Sequence, residues 1–148
     1  MNMFLELLPA ALGTVAFAIL YNIPKKYYPI SALIGAAGWL LYRVMLSVAG
    51  AGDFEATFLA TVLVVVLSRF VAVADHCPAT IFVTAGIFPL VPGAGIYWAC
   101  YYVVTTQFDQ AGAHALSALQ TILGIVLGIV VIFELPYSFF SLKRKKKS

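Results

Sequence analysis

Long apolar runs, broken at intervals by helix-stopping residues, set the pattern of this chain. They cover about 4–21, 30–48, 54–74, 79–104 and 114–135. Each is near the roughly 20 residues a helix needs to cross a bilayer core about 30 Å thick. The connectors are Asn22-Ile23-Pro24-Lys25-Lys26, Gly50-Ala51-Gly52-Asp53, Asp75-His76-Cys77-Pro78 and the stretch 105–113. All contain the Pro, Gly, Asn or Asp expected where helices end. Continuous apolar runs, in place of alternating strands of about ten residues, exclude a β-barrel. The pattern predicts an all-α integral membrane protein, a bundle of about five transmembrane helices. Residues 1–142 form one polytopic domain and 143–148 a basic tail. The first run has no basic leader and carries Glu6 instead, so it reads as a retained helix and not a cleaved signal peptide.

Composition strengthens this reading. Of 148 residues, 63% are hydrophobic and 10% charged, with a mean hydropathy of +1.00. A soluble domain carries about 25% charged residues. Nine basic and six acidic side chains are too few to coat a soluble globule, so the excess apolar surface faces lipid. Soluble enzymes, nucleic-acid binders and disulfide-rich secreted modules are excluded.

Charge sets the orientation. Lys25 and Lys26 follow the first run, and Lys143, Arg144, Lys145, Lys146 and Lys147 follow the fifth. The positive-inside rule puts both groups in the cytoplasm, which five crossings allow and four do not. The N-terminus is then outside, and the tail touches anionic lipid.

The fourth run is unlike the others. It contains Ile87-Phe88-Pro89-Leu90-Val91-Pro92-Gly93-Ala94-Gly95. Pro89 and Pro92 remove two backbone donors and crowd the preceding turn, so the helix is expected to break there. Unwound backbone at membrane depth is tolerated only against protein or a water-filled cavity, and in secondary transporters such breaks mark substrate sites. The N–H groups of Gly93, Ala94 and Gly95 would open the second half-helix and suit a carboxylate. A simple proline kink or a packing turn is the structural alternative.

Small residues line the remaining helices at helical spacing: Ala10, Thr14, Ala18; Ser31, Gly35, Gly38, Tyr42; Thr57, Thr61, Ser68, Asp75; Ser117, Thr121, Gly124, Gly128. Such stripes let helix backbones approach closely in lipid. The hydroxyls of the third helix are the ones that also stand as candidates to line a path. Arg43 and Arg69 lie inside their spans, where a charge is a functional candidate. Arg69 has the snorkelling anchor as its alternative, and Arg43 suits an anionic substrate or a partner carboxylate. Cys77 and Cys100 fall at opposite ends of the fourth run, too far apart to bridge. No nucleophile–base motif, phosphate loop or metal cage is present. An enzyme is not expected, nor a cofactor.

Two blocks carry a resemblance. Tyr21-Asn22-Ile23-Pro24-Lys25-Lys26-Tyr27, followed by Gly35-Ala36-Ala37-Gly38-Trp39, resembles the first hairpin of the threonine/serine exporter family. Cys77-Pro78-Ala79-Thr80-Ile81-Phe82, running into Gly86-Ile87-Phe88-Pro89-Leu90-Val91-Pro92-Gly93, resembles that family's P-A-T-x-F…P-G-I-x-P-L-V-P-G signature. Ala85 stands where the signature has proline. The likeness is to the short, split form of the family. It implies a subunit in the bacterial inner membrane that works with a larger ThrE-like partner. The implied substrates are threonine and serine, or succinate-type dicarboxylates. In that picture the substrate carboxylate meets the 93–95 amides, Thr80 and Thr84 on one face of the preceding half-helix supply hydroxyls, and Arg43 or Arg69 supplies positive charge. Two other readings stay open: an accessory or scaffold subunit without its own pathway, and a homo-oligomeric channel.

Overall fold

The structure, a computed structural model, describes residues 3–136. The basic tail at 143–148 lies outside the described residues. Six α-helices and two short 3-10 turns make up the described chain: α1 (Met3–Leu20), α2 (Tyr28–Ser47), α3 (Asp53–Asp75), α4 (Thr80–Gly86), α5 (Gly93–Val104) and α6 (Phe108–Phe133). Three helical stretches, Lys25–Ser47, Asp53–Asp75 and Phe108–Phe133, are long and apolar enough to cross a membrane. The broken pair α4–α5 makes a fourth if it counts as one crossing, and α1 is a shorter apolar helix. Leucines and valines on the outer face of α6, among them Leu119, Leu123, Val126 and Val130, stay exposed, as helices in lipid require.

Local chemistry sets the helix ends. Pro29 sits in the first turn of α2, where its missing N–H costs nothing. Asp53 and Glu55 occupy the first turn of α3, against the positive end of its dipole. At the other end His76 takes the left-handed conformation (φ 52°), and Cys77 N–H returns to the Ala72 carbonyl at 3.0 Å, closing the helix in a Schellman-type turn.

The last connector is shorter than the sequence pattern suggests. The fifth apolar run starts at about 114, but α6 already begins at Phe108. Only Thr105, Thr106 and Gln107 separate it from α5. Thr106 reverses the chain with φ 61°, and Gln107 N–H bonds the Tyr102 carbonyl at 2.8 Å. Asp109 then falls in the first turn of α6, where a carboxylate is stabilising, so a polar stretch that reads as loop forms helix.

Side-chain neighbours define the topology. α1 and α2 are antiparallel, with Thr14 against Gly35 and Glu6 against Arg43. α3 and α6 run parallel: Ser117 meets Asp53, Gly124 meets Phe54 and Phe58, Gly128 meets Thr61, and Arg69 meets Ile132. A β-carbon on Gly124 would lie 2.9 Å from the Phe54 carbonyl oxygen, and one on Gly128 would lie 2.8 Å from Thr61 Cβ. These glycines therefore bring two backbones together in the way small residues do in membranes. The Thr57 and Thr61 side chains are wholly buried in this seam, while Ser68 Oγ bonds back to the Val64 carbonyl at 2.7 Å. The α3 hydroxyls thus sit within helix packing, those of Thr57 and Thr61 without a hydrogen-bond partner among the described residues. α4 inserts between α2 and α3, with Phe82 completely buried and edge-on to Tyr27. α5 has no buried residue and packs mainly on the first half of α6, with Gly95 against Ala118 and Tyr102 stacked on His114.

Candidate functional site at the broken helix

Between α4 and α5 the helical ladder is interrupted. Phe88–Leu90 form a 3-10 turn, Val91 is extended (φ −64°, ψ 129°), and the two half-helices meet at 47°. Neither Pro89 nor Pro92 has an N–H to continue the ladder. Pro92 has φ −79° and ψ 53°, and Gly93 N–H donates to the Val91 carbonyl at 2.8 Å, the form of an inverse γ-turn. This corrects one expectation. The Gly93 amide is engaged by its own chain, so the opening of α5 offers the first-turn amides of Ala94 and Gly95, which have no partner within the helix.

Those amides border a cavity of about 250 Å³, walled by the turn from Pro89 to Gly95 and by Trp39, Tyr42, Asp53, Ser117 and Thr121. The Asp53 carboxylate accepts the Ser117 hydroxyl hydrogen, and Thr121 Oγ1 donates to the Ser117 carbonyl at 3.1 Å. The cavity therefore holds amide donors on one wall and a carboxylate on another. Its depth depends on the helix taken as ruler. Asp53 is the first residue of α3, whereas Ser117 and Thr121 lie near the middle of α6, which spans Phe108–Phe133.

The other anticipated residues lie elsewhere. Thr80 and Thr84 are exposed on α4, and Thr84 Oγ1 donates to the Thr80 carbonyl at 2.7 Å. Arg69 is 3% exposed, so it does not snorkel to an aqueous interface. Its Nη1 donates to the carbonyls of Ile132 and of Leu135, the latter at 3.0 Å, and its guanidinium lies 5.7 Å from the Phe133 ring centre. It thereby adds a charged donor at the C-terminal end of α6, where the Ile132 carbonyl also accepts the Leu135 N–H at 3.3 Å. Arg43 lines a neighbouring cavity of about 510 Å³ with Glu6, Pro9, Ala10, Trp39 and Pro89. Glu6 grips it in a fork: Nε lies 2.7 Å from Oε2, and Nη2 donates to Oε1 at 3.1 Å.

Glu6, Asp53, Ser117 and Thr121 are thus the site residues that sequence reasoning missed or placed in loops and packing stripes. One signal for Glu6 was available: an arginine inside a span calls for an acid at the same depth, and Glu6 sits near the equivalent end of α1. The proximity of Asp53 to the proline turn had no such signal. Among the described residues no cluster of His, Cys, Asp and Glu is arranged to hold a metal, and both cysteines are unbridged.

Comparison with known proteins points to one family. The family model described as threonine/serine exporter, ThrE, matches residues 6–134. A protein named probable threonine/serine exporter, from Mycobacterium tuberculosis (strain ATCC 25618 / H37Rv), is 28% identical over 123 residues, covering 82% of this chain and 23% of its own length. The chain therefore spans about a quarter of the curated relative it matches. No solved structure matches it.

Proposed function

The chain belongs to the threonine/serine exporter family, a family of transporters and not of enzymes, and on that premise we propose that it is the small membrane subunit of a secondary exporter for small carboxylate-bearing metabolites. The observation that carries this reading is the cavity at the break in α4–α5, where uncapped helix amides and the Asp53 carboxylate share one space. A metabolite carboxylate accepts from the Ala94 and Gly95 amides, favoured by the positive end of the α5 dipole. An α-ammonium group, when the metabolite has one, lies toward Asp53. That second contact favours threonine and serine over succinate-type dicarboxylates, which would bring a second negative charge to the same carboxylate.

The subunit works with a larger ThrE-like partner in the bacterial inner membrane. Support for a partner comes from α5, which has no buried residue of its own, and from the relative, in which the matched region is 23% of a longer chain. Lys25 and Lys26 in the connector between α1 and α2, with the basic residues at 143–147, favour a cytoplasmic C-terminus and an outer N-terminus.

Deleting the gene in its native host tests the proposal. The expected result is accumulation of threonine and serine inside cells challenged with a peptide source of those amino acids, reversed when the intact chain is restored. Unchanged intracellular pools, with succinate efflux also unchanged, would remove the exporter reading.

A further inference from the structure

The pair formed by Glu6 and Arg43 is built like a binding element and not like a bundle staple. One charge-assisted hydrogen bond, Nη2 to Oε1 at 3.1 Å, and an ion-pair contact of Nε with Oε2 at 2.7 Å, outside hydrogen-bond geometry, join α1 to α2. Arg43 nevertheless remains 36% exposed along its side chain, and the fork opens on a cavity of about 510 Å³. That volume falls within the usual range for small-molecule pockets. The other lining residues, Pro9, Ala10, Trp39 and Pro89, are apolar, so the pair is the charged feature of an otherwise apolar cavity. An ion pair in apolar surroundings is a weak source of stability, because desolvating the charges offsets their attraction.

Two further observations tie this cavity to solute passage. Trp39 and Pro89 line both it and the cavity at the helix break, so the two spaces share one wall. The Trp39 indole N–H is buried without a hydrogen-bond partner among the described residues, a donor left with nothing to accept it.

We infer that the Glu6–Arg43 fork is a second solute site, at which a zwitterionic α-amino acid inserts by exchanging with the pair. The solute carboxylate takes the guanidinium, and the solute ammonium takes the Glu6 carboxylate. Net charge in the cavity is zero before and after, so no uncompensated ion is created in a medium that penalises one. A dicarboxylate cannot make this exchange: its second carboxylate would face Glu6, two like charges in contact. The site thus selects zwitterions over dianions. It rests on the reading of the chain as a transporter subunit, and it adds a station on the far side of the Trp39–Pro89 wall from the Asp53 cavity.

The chain has two tryptophans, so Trp98→Phe leaves Trp39 as the sole indole reporter. The full chain with this change, in lipid nanodiscs, is titrated with L-threonine, L-serine and succinate while Trp39 emission is followed. A saturable response to both amino acids, at least tenfold weaker or absent for succinate, is expected. Two double variants remove the pair without stranding a charge: Glu6→Gln/Arg43→Gln, and the apolar Glu6→Leu/Arg43→Met. Each is expected to keep its Tm and to lose the threonine response by at least tenfold. Equal affinity for succinate, or a folded double variant that binds threonine within twofold of the parent, would overturn the site. So would the lack of any saturable response in a chain that restores threonine export in cells. Unchanged amino-acid pools and succinate efflux in the deletion strain strike the exporter reading instead, so the two failures are separable.

Discussion

Ser117, near the middle of α6, donates its hydroxyl hydrogen to Asp53, the first residue of α3. With the Gly124 and Gly128 contacts further along the seam, this bond marks the register of the two parallel helices, in which residues 108–116 of α6 run past the start of α3. At 1.5 Å per residue that overhang is about 13 Å. α5 pairs with the overhanging part, so the broken segment ends in a hairpin that projects beyond α1–α3. The proline turn falls where the compact bundle stops and the hairpin begins. A cavity forms there because α5 bends 47° away from the preceding half-helix.

Asp53→Asn should separate the two substrate classes. The amide keeps an acceptor for Ser117 but no longer carries charge for an ammonium group. Threonine transport is expected to fall about tenfold or more, the scale of one lost hydrogen bond to a charged group. Succinate, if carried at all, should change little or improve. Uptake of each labelled solute into inverted vesicles measures the difference, and an equal loss for both would show that Asp53 has only a structural part.

Gly93→Leu should stop export while leaving the protein in the membrane. A β-carbon at Gly93 meets nothing within 4 Å, so the backbone accepts the side chain without a clash, and the added bulk occupies the turn. Membrane abundance near the parent level, with export reduced about tenfold or more, is the expected pairing. Normal export would show that the Pro92–Gly95 turn takes no part in the path.

Gly124→Leu tests the seam between α3 and α6. Its side chain would meet the Phe54 carbonyl and the Phe58 amide, both backbone atoms, which cannot rotate aside. Overpacking of this kind typically costs about 1–3 kcal/mol. A clear fall in Tm in detergent is expected, with the same change at exposed Gly112, where a β-carbon meets nothing within 4 Å, as the tolerated control.

Arg69→Met should act on stability before transport. The variant leaves the carbonyls of Ile132 and Leu135 without the guanidinium donor. The Ile132 carbonyl keeps the Leu135 N–H at 3.3 Å, so the loss is that of hydrogen bonds from a charged donor, about 1.5–3 kcal/mol. Thermal unfolding is expected to shift downward, while the fraction that remains folded binds threonine with unchanged affinity. A binding defect at full stability would instead assign Arg69 to the solute path.

Orientation is open to a labelling experiment. With Cys77 and Cys100 replaced by alanine, Thr106→Cys in the α5–α6 turn and Asp75→Cys at the end of α3 mark opposite ends of the fold. A membrane-impermeant maleimide is expected to reach position 106 in intact spheroplasts and position 75 only after permeabilisation. The reverse pattern would place the N-terminus in the cytoplasm.

Much of the architecture follows from sequence-local physics. Apolar runs of helical length, closed by Asn22, Gly50–Gly52 and His76–Pro78, placed α1, α2 and α3 to within a few residues, because chain stoppers act on their own neighbourhood. Paired prolines at 89 and 92 made a break in the fourth segment an expectation, since a missing N–H is a local fact. Glycines 124 and 128, four apart, announced a close helix contact. Tertiary structure alone decided which helix that contact would meet and in which direction it would run. It also decided that Asp53 faces the turn, that Glu6 clasps Arg43, and that Arg69 caps α6 and not a solute. Each of these joins residues far apart in the chain. Their partners are selected by how the packed helices fit together, and residue pattern within any single helix carries no record of that choice.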